Sequence, residues 1–131
     1  MVLESAYFER IKTLLKTTFD PNISHLPDDD MLSCQISAGE YVGIVDNGEI
    51  VSLLQRKLDK KKFYINQVIN KGTKDCIHAL MLNEIYDFVE AGGNRIYSWI
   101  EESNIASIKF HSKYGLVKDG TYVNIYTWHI D

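Results

Sequence analysis

The sequence predicts an α/β (α+β) fold, a mixed and mainly antiparallel sheet with helices on both faces. Three observations carry this expectation. Apolar residues recur at spacings of three and four before residue 20 and again over residues 77–89, the period of helices with one buried face. From Gly39 the pattern changes to short strand-like runs, with a hairpin signal at Asp46-Asn47-Gly48. After the long helix the chain reads strand, helix, strand, so a three-strand meander is followed by a βαβ unit.

Residues 3–19 read as the first helix, with Phe8, Ile11, Leu14, Leu15 and Thr18 on one face. Asp20-Pro21 ends it, because the residue before proline avoids the helical region. Residues 27–33 hold a short second helix, its first turn favoured by Asp28 and Asp29. Residues 41–45 and 50–54 are the first two strands. A turn at residues 59–62 leads into the third, residues 63–69. The long helix buries Ile77, Leu80, Met81, Ile85, Phe88 and Val89, with Thr73 as its cap and Gly92-Gly93 as its end. A strand at residues 95–100 precedes a short helix. That helix is capped by the Ser103 hydroxyl, closed by Gly115 and packed through Ile105 and Ile108. Residues 122–130 form the last strand.

A length of 131 residues suits a single domain, 1–131. The net charge of −4 argues against a nucleic-acid partner held by a broad basic face. No run approaches the roughly 20 apolar residues of a membrane span, and the N-terminus lacks the pattern of a signal peptide. Cys34 and Cys76 make no disulfide framework, which fits reduced thiols in the cytoplasm. With His25, His78, His111 and His129 they form no metal-ligand spacing, so no metal is expected. Tyr122, Ile125, Tyr126, Trp128 and Ile130 make the last strand apolar. It could extend a sheet across a homodimer or be covered by the first helix.

The most specific segment is Asn104-Ile-Ala-Ser-Ile-Lys-Phe-His-Ser-Lys-Tyr-Gly-Leu116, directly after a strand. It resembles the C-terminal half of the GCN5-related N-acetyltransferase (GNAT) superfamily. There an Asn opens this helix, an aromatic pair sits near its end, and Gly-Phe follows. Phe110-His111 stands for the pair here, and Leu116 replaces the final Phe. The resemblance covers residues 40–130 and is most specific over 64–116. It implies a GNAT-like sheet lacking the family's first strand, with the last pair of strands reduced to one plus a stub.

The resemblance also implies acetyl-CoA or another acyl-CoA as co-substrate and a small-molecule amine as acceptor. The family binds the coenzyme pyrophosphate at the N-terminus of the long helix, where free N–H groups and the helix dipole attract anions. Its pattern, Arg/Gln-x-x-Gly-x-Gly/Ala, falls on Thr73, Lys74, Asp75, Cys76, Ile77 and His78, so the loop is degenerate. Asp75 repels a phosphate there, whereas Lys71 and Lys74 attract one. Cys76 is either a small packed residue or a thiol activated by the helix start. His78 covers the helix start or replaces a lost phosphate contact. Val68, Ile69 and Asn70 occupy the strand end whose backbone would pair with pantetheine. Asn104 and Phe110 complete the cofactor set, Asn104 fixing either the cofactor or its helix. Lys60-Lys61-Lys62 is a solvated hairpin tip or a contact for a 3′-phosphate.

Acyl transfer from a thioester to an amine needs a base, an oxyanion donor and an acid for the leaving thiolate. The family's acid is often a Tyr at the position of His111, with Tyr114 one turn further as substitute. Glu101 is the candidate base. Glu102 and Tyr64 lie nearby in the pattern, and Gln67 could orient a water. Asp28-Asp29-Asp30 either attracts a cationic amine or is a capped, solvated loop. Two other readings stay open: a catalytically degenerate binding or regulatory module, and an acyltransferase fed by acyl carrier protein. The second would use Lys57, Lys60, Lys61, Lys62, Lys71 and Lys74 as a basic rim.

Overall fold

The computed structural model describes residues 1–19, 26–119 and 125–129. A 3-10 turn, Ser5–Tyr7, precedes α1 (Phe8–Thr18) and α2 (Asp29–Ser37). Then come β1 (Tyr41–Asp46), β2 (Glu49–Asp59), β3 (Lys62–Asn70), α3 (Lys74–Glu90), β4 (Arg95–Trp99), α4 (Ile105–Ser112), β5 (Val117–Lys118) and β6 (Ile125–His129). The strand order is β1-β2-β3-β4-β6-β5. β3 and β4 are parallel, and the pairs β1–β2, β4–β6 and β5–β6 are antiparallel. The expected mixed sheet is therefore present, with the terminal pair reduced to β6 and a two-residue stub.

The chain forms two compact units, Met1–Gln55 with Gln67–Asn83, and Arg56–Asn66 with Glu84–Asp131. In the first, Ile11 and Leu15 of α1 and Leu32 and Ile36 of α2 join Leu3, Tyr41, Ile50, Leu53 and Ile69 in one buried cluster. α1 begins five residues later than the sequence suggested, because Leu3 is needed elsewhere. Its side chain is completely buried, and its N–H donates to the Tyr41 carbonyl at 2.9 Å. Gly43 N–H donates to the Met1 carbonyl at 2.9 Å, and Val2 bridges Val42. The missing first strand thus survives as one antiparallel bridge. Gly43 permits it, since a Cβ there would lie 2.7 Å from the Ser52 carbonyl and 3.0 Å from Leu3 Cδ1. α2 starts where Asp28 Oδ1 accepts the Met31 N–H at 2.8 Å and runs to Ser37 because Leu32 and Ile36 are buried. The β1–β2 turn has Asn47 at φ 51° and Gly48 at φ 79°, residues that tolerate this conformation.

In the second unit Phe63 of β3 packs on Phe88, ring centroids 5.3 Å apart. Gly93 leaves room for that ring, since a Cβ would come within 2.3 Å of it. α4 is capped by Asn104, whose Oδ1 accepts the Ser107 N–H at 3.1 Å, so the cap is one residue later than the expected Ser103. Ile105, expected in the core, is 55% exposed, and Ile108 is half-buried. The inward residue of α4 is His111. Gly115 adopts φ +88° as expected, and a Cβ there would meet Trp128 Cδ1 at 2.9 Å. β6 pairs with β4 on one side and with Val117 and Lys118 on the other, so it is not the free edge of the sheet-extension reading. Tyr122, Ile130 and the helix stop at Asp20-Pro21 lie outside the described residues.

Candidate functional site

The entry to α3 is built by one side chain. Asn70 ends β3, and its Oδ1 accepts the Ser52 hydroxyl at 2.8 Å and the Gly72 N–H at 3.2 Å. Its Nδ2 donates to the Gly72 and Thr73 carbonyls at 3.2 and 3.1 Å. The side-chain amide therefore clamps the turn from both ends. The Val51 carbonyl holds the same turn to β2, accepting the Lys71 N–H at 2.7 Å and the Gly72 N–H at 3.0 Å. Gly72 fits because it has no side chain: a Cβ would lie 3.2 Å from Cys76 Sγ and 3.4 Å from Val51 Cβ.

Thr73 precedes α3, and its hydroxyl donates to Cys76 Sγ at 3.4 Å. Its carbonyl accepts the Cys76 N–H at 3.1 Å. Cys76 is half-buried under Gly72, a packed position, while Ile77 is buried as a core residue. Lys74, Asp75 and His78 are exposed on the first turns of the helix. The Ile69 side chain belongs to the core, so this residue can reach a ligand only through its backbone. Val68 is half-buried. Gln67, just upstream, has a buried Oε1 with no hydrogen-bond partner. A buried acceptor left unpaired costs about 1–3 kcal/mol, so this atom is suited to an N–H from a bound molecule.

The α4 cluster lies wholly in the second unit. His111 is 4% exposed. Its Nδ1 lies 2.7 Å from the Ser107 carbonyl and 3.3 Å from Ser107 Oγ. Its Nε2 lies 3.3 Å from Ser98 Oγ, which also reaches the Ile65 carbonyl at 3.4 Å. A carbonyl only accepts, so Nδ1 carries a proton; in the neutral ring Nε2 then accepts the single Ser98 hydroxyl proton, for which the Ile65 carbonyl competes. Burial lowers the His111 pKa, and the Ser107 bond only partly opposes it. The imidazole is therefore neutral and engaged at both nitrogens.

Phe110 stands edge-on to both His111 and Tyr114, with centroids 5.3 Å apart in each pair. Tyr114 is half-buried, and burial raises its pKa, keeping the hydroxyl protonated. Glu101 is exposed, and its carbonyl accepts the Asn104 N–H at 2.9 Å. Glu102 pairs with Lys118 at 2.9 Å on the surface. Tyr64 stacks on Tyr97. Among the described residues no group of three or more His, Cys, Asp or Glu is arranged to hold a metal ion.

The structure thus brings Phe110 and His111 of α4 together with Tyr114 just beyond its end, and Asn70, Thr73 and Cys76 together at the α3 entry. Ser52, Ser98 and Ser107 are site-forming residues that sequence reasoning missed. Ser98 alone had a usable signal, since it alternates with Ile96 and Ile100 on the buried face of its strand.

No family profile matches the sequence, and no curated protein matches it either. Solved structures do match. The PaiA N-acetyltransferase of Thermoplasma acidophilum, determined with coenzyme A, superposes with a TM-score of 0.81 at 13% identity, covering 99% of this chain and 97% of its own. The ribosomal-protein-S18-alanine N-acetyltransferase of Escherichia coli gives 0.77 at 12% identity, covering 100% and 92%. A GNAT-family acetyltransferase of Staphylococcus aureus gives 0.74 at 16%, covering 100% and 98%. The chain has the fold of the GCN5-related N-acetyltransferases.

Proposed function

We propose that this protein is an N-acyltransferase that moves an acyl group from acetyl-CoA or another acyl-CoA to the amine of a small molecule. The observation that carries the reading is the α3 entry: a helix start preset by Asn70 and Val51, preceded by the unpaired buried oxygen of Gln67. The residues present fit a coenzyme. The first-turn amides of α3 supply an anion site despite the side chains at 73, 76 and 78, Lys71 and Lys74 add mobile positive charge, and Gln67 accepts an N–H. When bound, the donor supplies an activated thioester carbonyl.

The roles of the chain's own residues follow from their protonation. Tyr114 keeps its proton and is the acid for the departing thiolate. His111 offers no free N–H at Nε2 and acts by fixing α4 against β4. Glu101, exposed beyond the end of β4, is the carboxylate base for an incoming ammonium group. Asn104 sets where α4 begins. The free thiols Cys34 and Cys76 suit a reducing compartment, the cytoplasm. No helix among the described residues is long and apolar enough to cross a membrane.

Isothermal titration with coenzyme A and acetyl-CoA, followed by a transfer assay over a panel of amines, tests the proposal. Saturable binding with transfer is expected. Binding without transfer to any amine favours the degenerate binding module, whose motivating observation is the substituted loop. Absence of binding at millimolar coenzyme removes both the donor and the reaction.

A further inference from the structure

Given the acyl-transfer reading above, on which the role of Glu101 rests, we infer the class of the acceptor. It is an alkylamine with an aromatic ring and no acidic group, its ring held by Trp99 and its ammonium group by Glu101. Trp99 is the last residue of β4 and is 58% exposed. The strand's alternation sets it on one face with Arg95 and Tyr97, while Ile96, Ser98 and Ile100 are buried on the other. Tyr64 and Tyr97 stack on each other, and Arg95 lies 5.9 Å from the Tyr97 centroid, so those rings are taken. Among the described residues no ring and no cation lies against the Trp99 indole. On β6 it is in register with half-buried Ile125. Toward β3 the parallel ladder ends one residue earlier, at Ile65 and Ser98. The indole therefore has an apolar neighbour on one side and no strand partner on the other.

The chain beyond Trp99 keeps the alternation, with Ile100 buried and Glu101 exposed. Trp99 and Glu101 thus occupy alternate outward positions, about 6–7 Å apart at the rise of an extended chain. One small molecule spans that distance. Glu102 is neutralised by Lys118 at 2.9 Å, whereas Glu101 makes no ion pair among the described residues. An aromatic surface beside an uncompensated carboxylate complements a ring joined to an ammonium group by a short alkyl arm. The ring packs offset or edge-on against the indole, and the positive end is attracted by both the carboxylate and the π face. A carboxylate or phosphate on the acceptor would meet Glu101 as a like charge. In the transfer, Glu101 takes a proton from the ammonium nitrogen. The N–C bond forms as the thioester C–S bond breaks, and Tyr114 returns a proton to the sulfur.

Steady-state transfer from acetyl-CoA to 2-phenylethylamine, ethylamine and phenylalanine tests the class. The kcat/KM for 2-phenylethylamine should exceed each of the others by about tenfold or more, the size of one good aromatic contact. Trp99→Leu should bring the ratio to ethylamine close to unity, chiefly through KM, and Trp99→Phe should keep most of it. Equal use of the two amines by the wild type, a ratio unchanged in Trp99→Leu, or a preference for phenylalanine would each overturn the inference. Tryptophan emission gives a readout without turnover. With coenzyme A present, 2-phenylethylamine should change it saturably, and Trp99→Phe, which retains Trp128, should lose that change. A saturable change with no amine acylated would remove the reaction and keep the amine site. Acylation of amines without a ring, with no change in emission, would remove the site and keep the reaction. Neither transfer nor a change in emission would remove both.

Discussion

Ser98 on β4 and His111 on α4 meet side chain to side chain, Oγ to Nε2, at 3.3 Å in a buried setting. With Nδ1 committed to the Ser107 carbonyl, this contact ties α4 to the sheet of its unit through a neutral imidazole. His111, a candidate acid by its place in the sequence, has contacts at both ring nitrogens in the structure.

That assignment predicts a pH dependence of stability. The folded His111 pKa lies below the unfolded value of about 6.5. Its contribution is therefore full above about pH 6.5 and is lost as the pH falls through the lowered folded value. His111→Leu should cost about 1–2 kcal/mol at neutral pH from two lost hydrogen bonds. It should also flatten the stability decline on the acid side of pH 6.5. Urea denaturation across that range measures both, and an unchanged acid slope in the variant would refute the neutral ring.

Tyr114 and His111 are separable kinetically. Loss of a general acid lowers turnover by about 10²–10⁴-fold. Tyr114→Phe is expected to lose kcat in that range with little change in coenzyme affinity, and His111→Leu to lose much less at a temperature where it is folded. Steady-state rates with an accepted amine decide the matter. The reverse ranking would return the acid role to His111.

The α4 cap makes a sharp pair of mutants. Asn104→Ala should destabilise the protein by about 1 kcal/mol, because the Ser107 N–H loses its acceptor. Ser103→Ala should be close to neutral. Equal losses in thermal or urea unfolding would show that the cap is shared.

Asn70→Ala removes four hydrogen bonds from the turn before α3. With an exposed side chain and net values of about 0.5–1.5 kcal/mol per bond, a loss near 2 kcal/mol is expected. Coenzyme A affinity should fall more than stability suggests, since the first-turn amides are no longer preset. Titration of the folded variant checks this, and unchanged affinity would mean that the turn does not serve the ligand.

Local rules made much of the fold legible. Asn47-Gly48 announced its hairpin because few residues tolerate positive φ there, and Gly115 announced its own left-handed turn for the same reason. The long helix was readable from its apolar face. Long-range burial was not readable: Leu3 continues a helical pattern, yet the core and the bridge to β1 withdraw it from the helix. Ile105 fits a buried face, but so short a helix buries His111 instead. The site was half-legible. His111, Tyr114 and the α3 start lay on a recognisable pattern, whereas Ser98 and Ser107, which meet the His111 ring, are ordinary serines until the strand and helix are juxtaposed. Lys60 gave no warning of its conformation, since lysine is an unusual choice for a left-handed turn.

The shared acceptor at Val51 has a consequence for solvent exchange. The amide protons of Lys71 and Gly72 point at the same carbonyl oxygen, and an opening of the turn that breaks the Val51 and Asn70 contacts together releases both amides. Their deuterium uptake should rise and fall in step, with β2 as the common brake. Occupancy of the adjoining helix start would register as simultaneous slowing of two neighbouring amides, a readout of ligand capture that needs neither a chromophore nor a known acceptor.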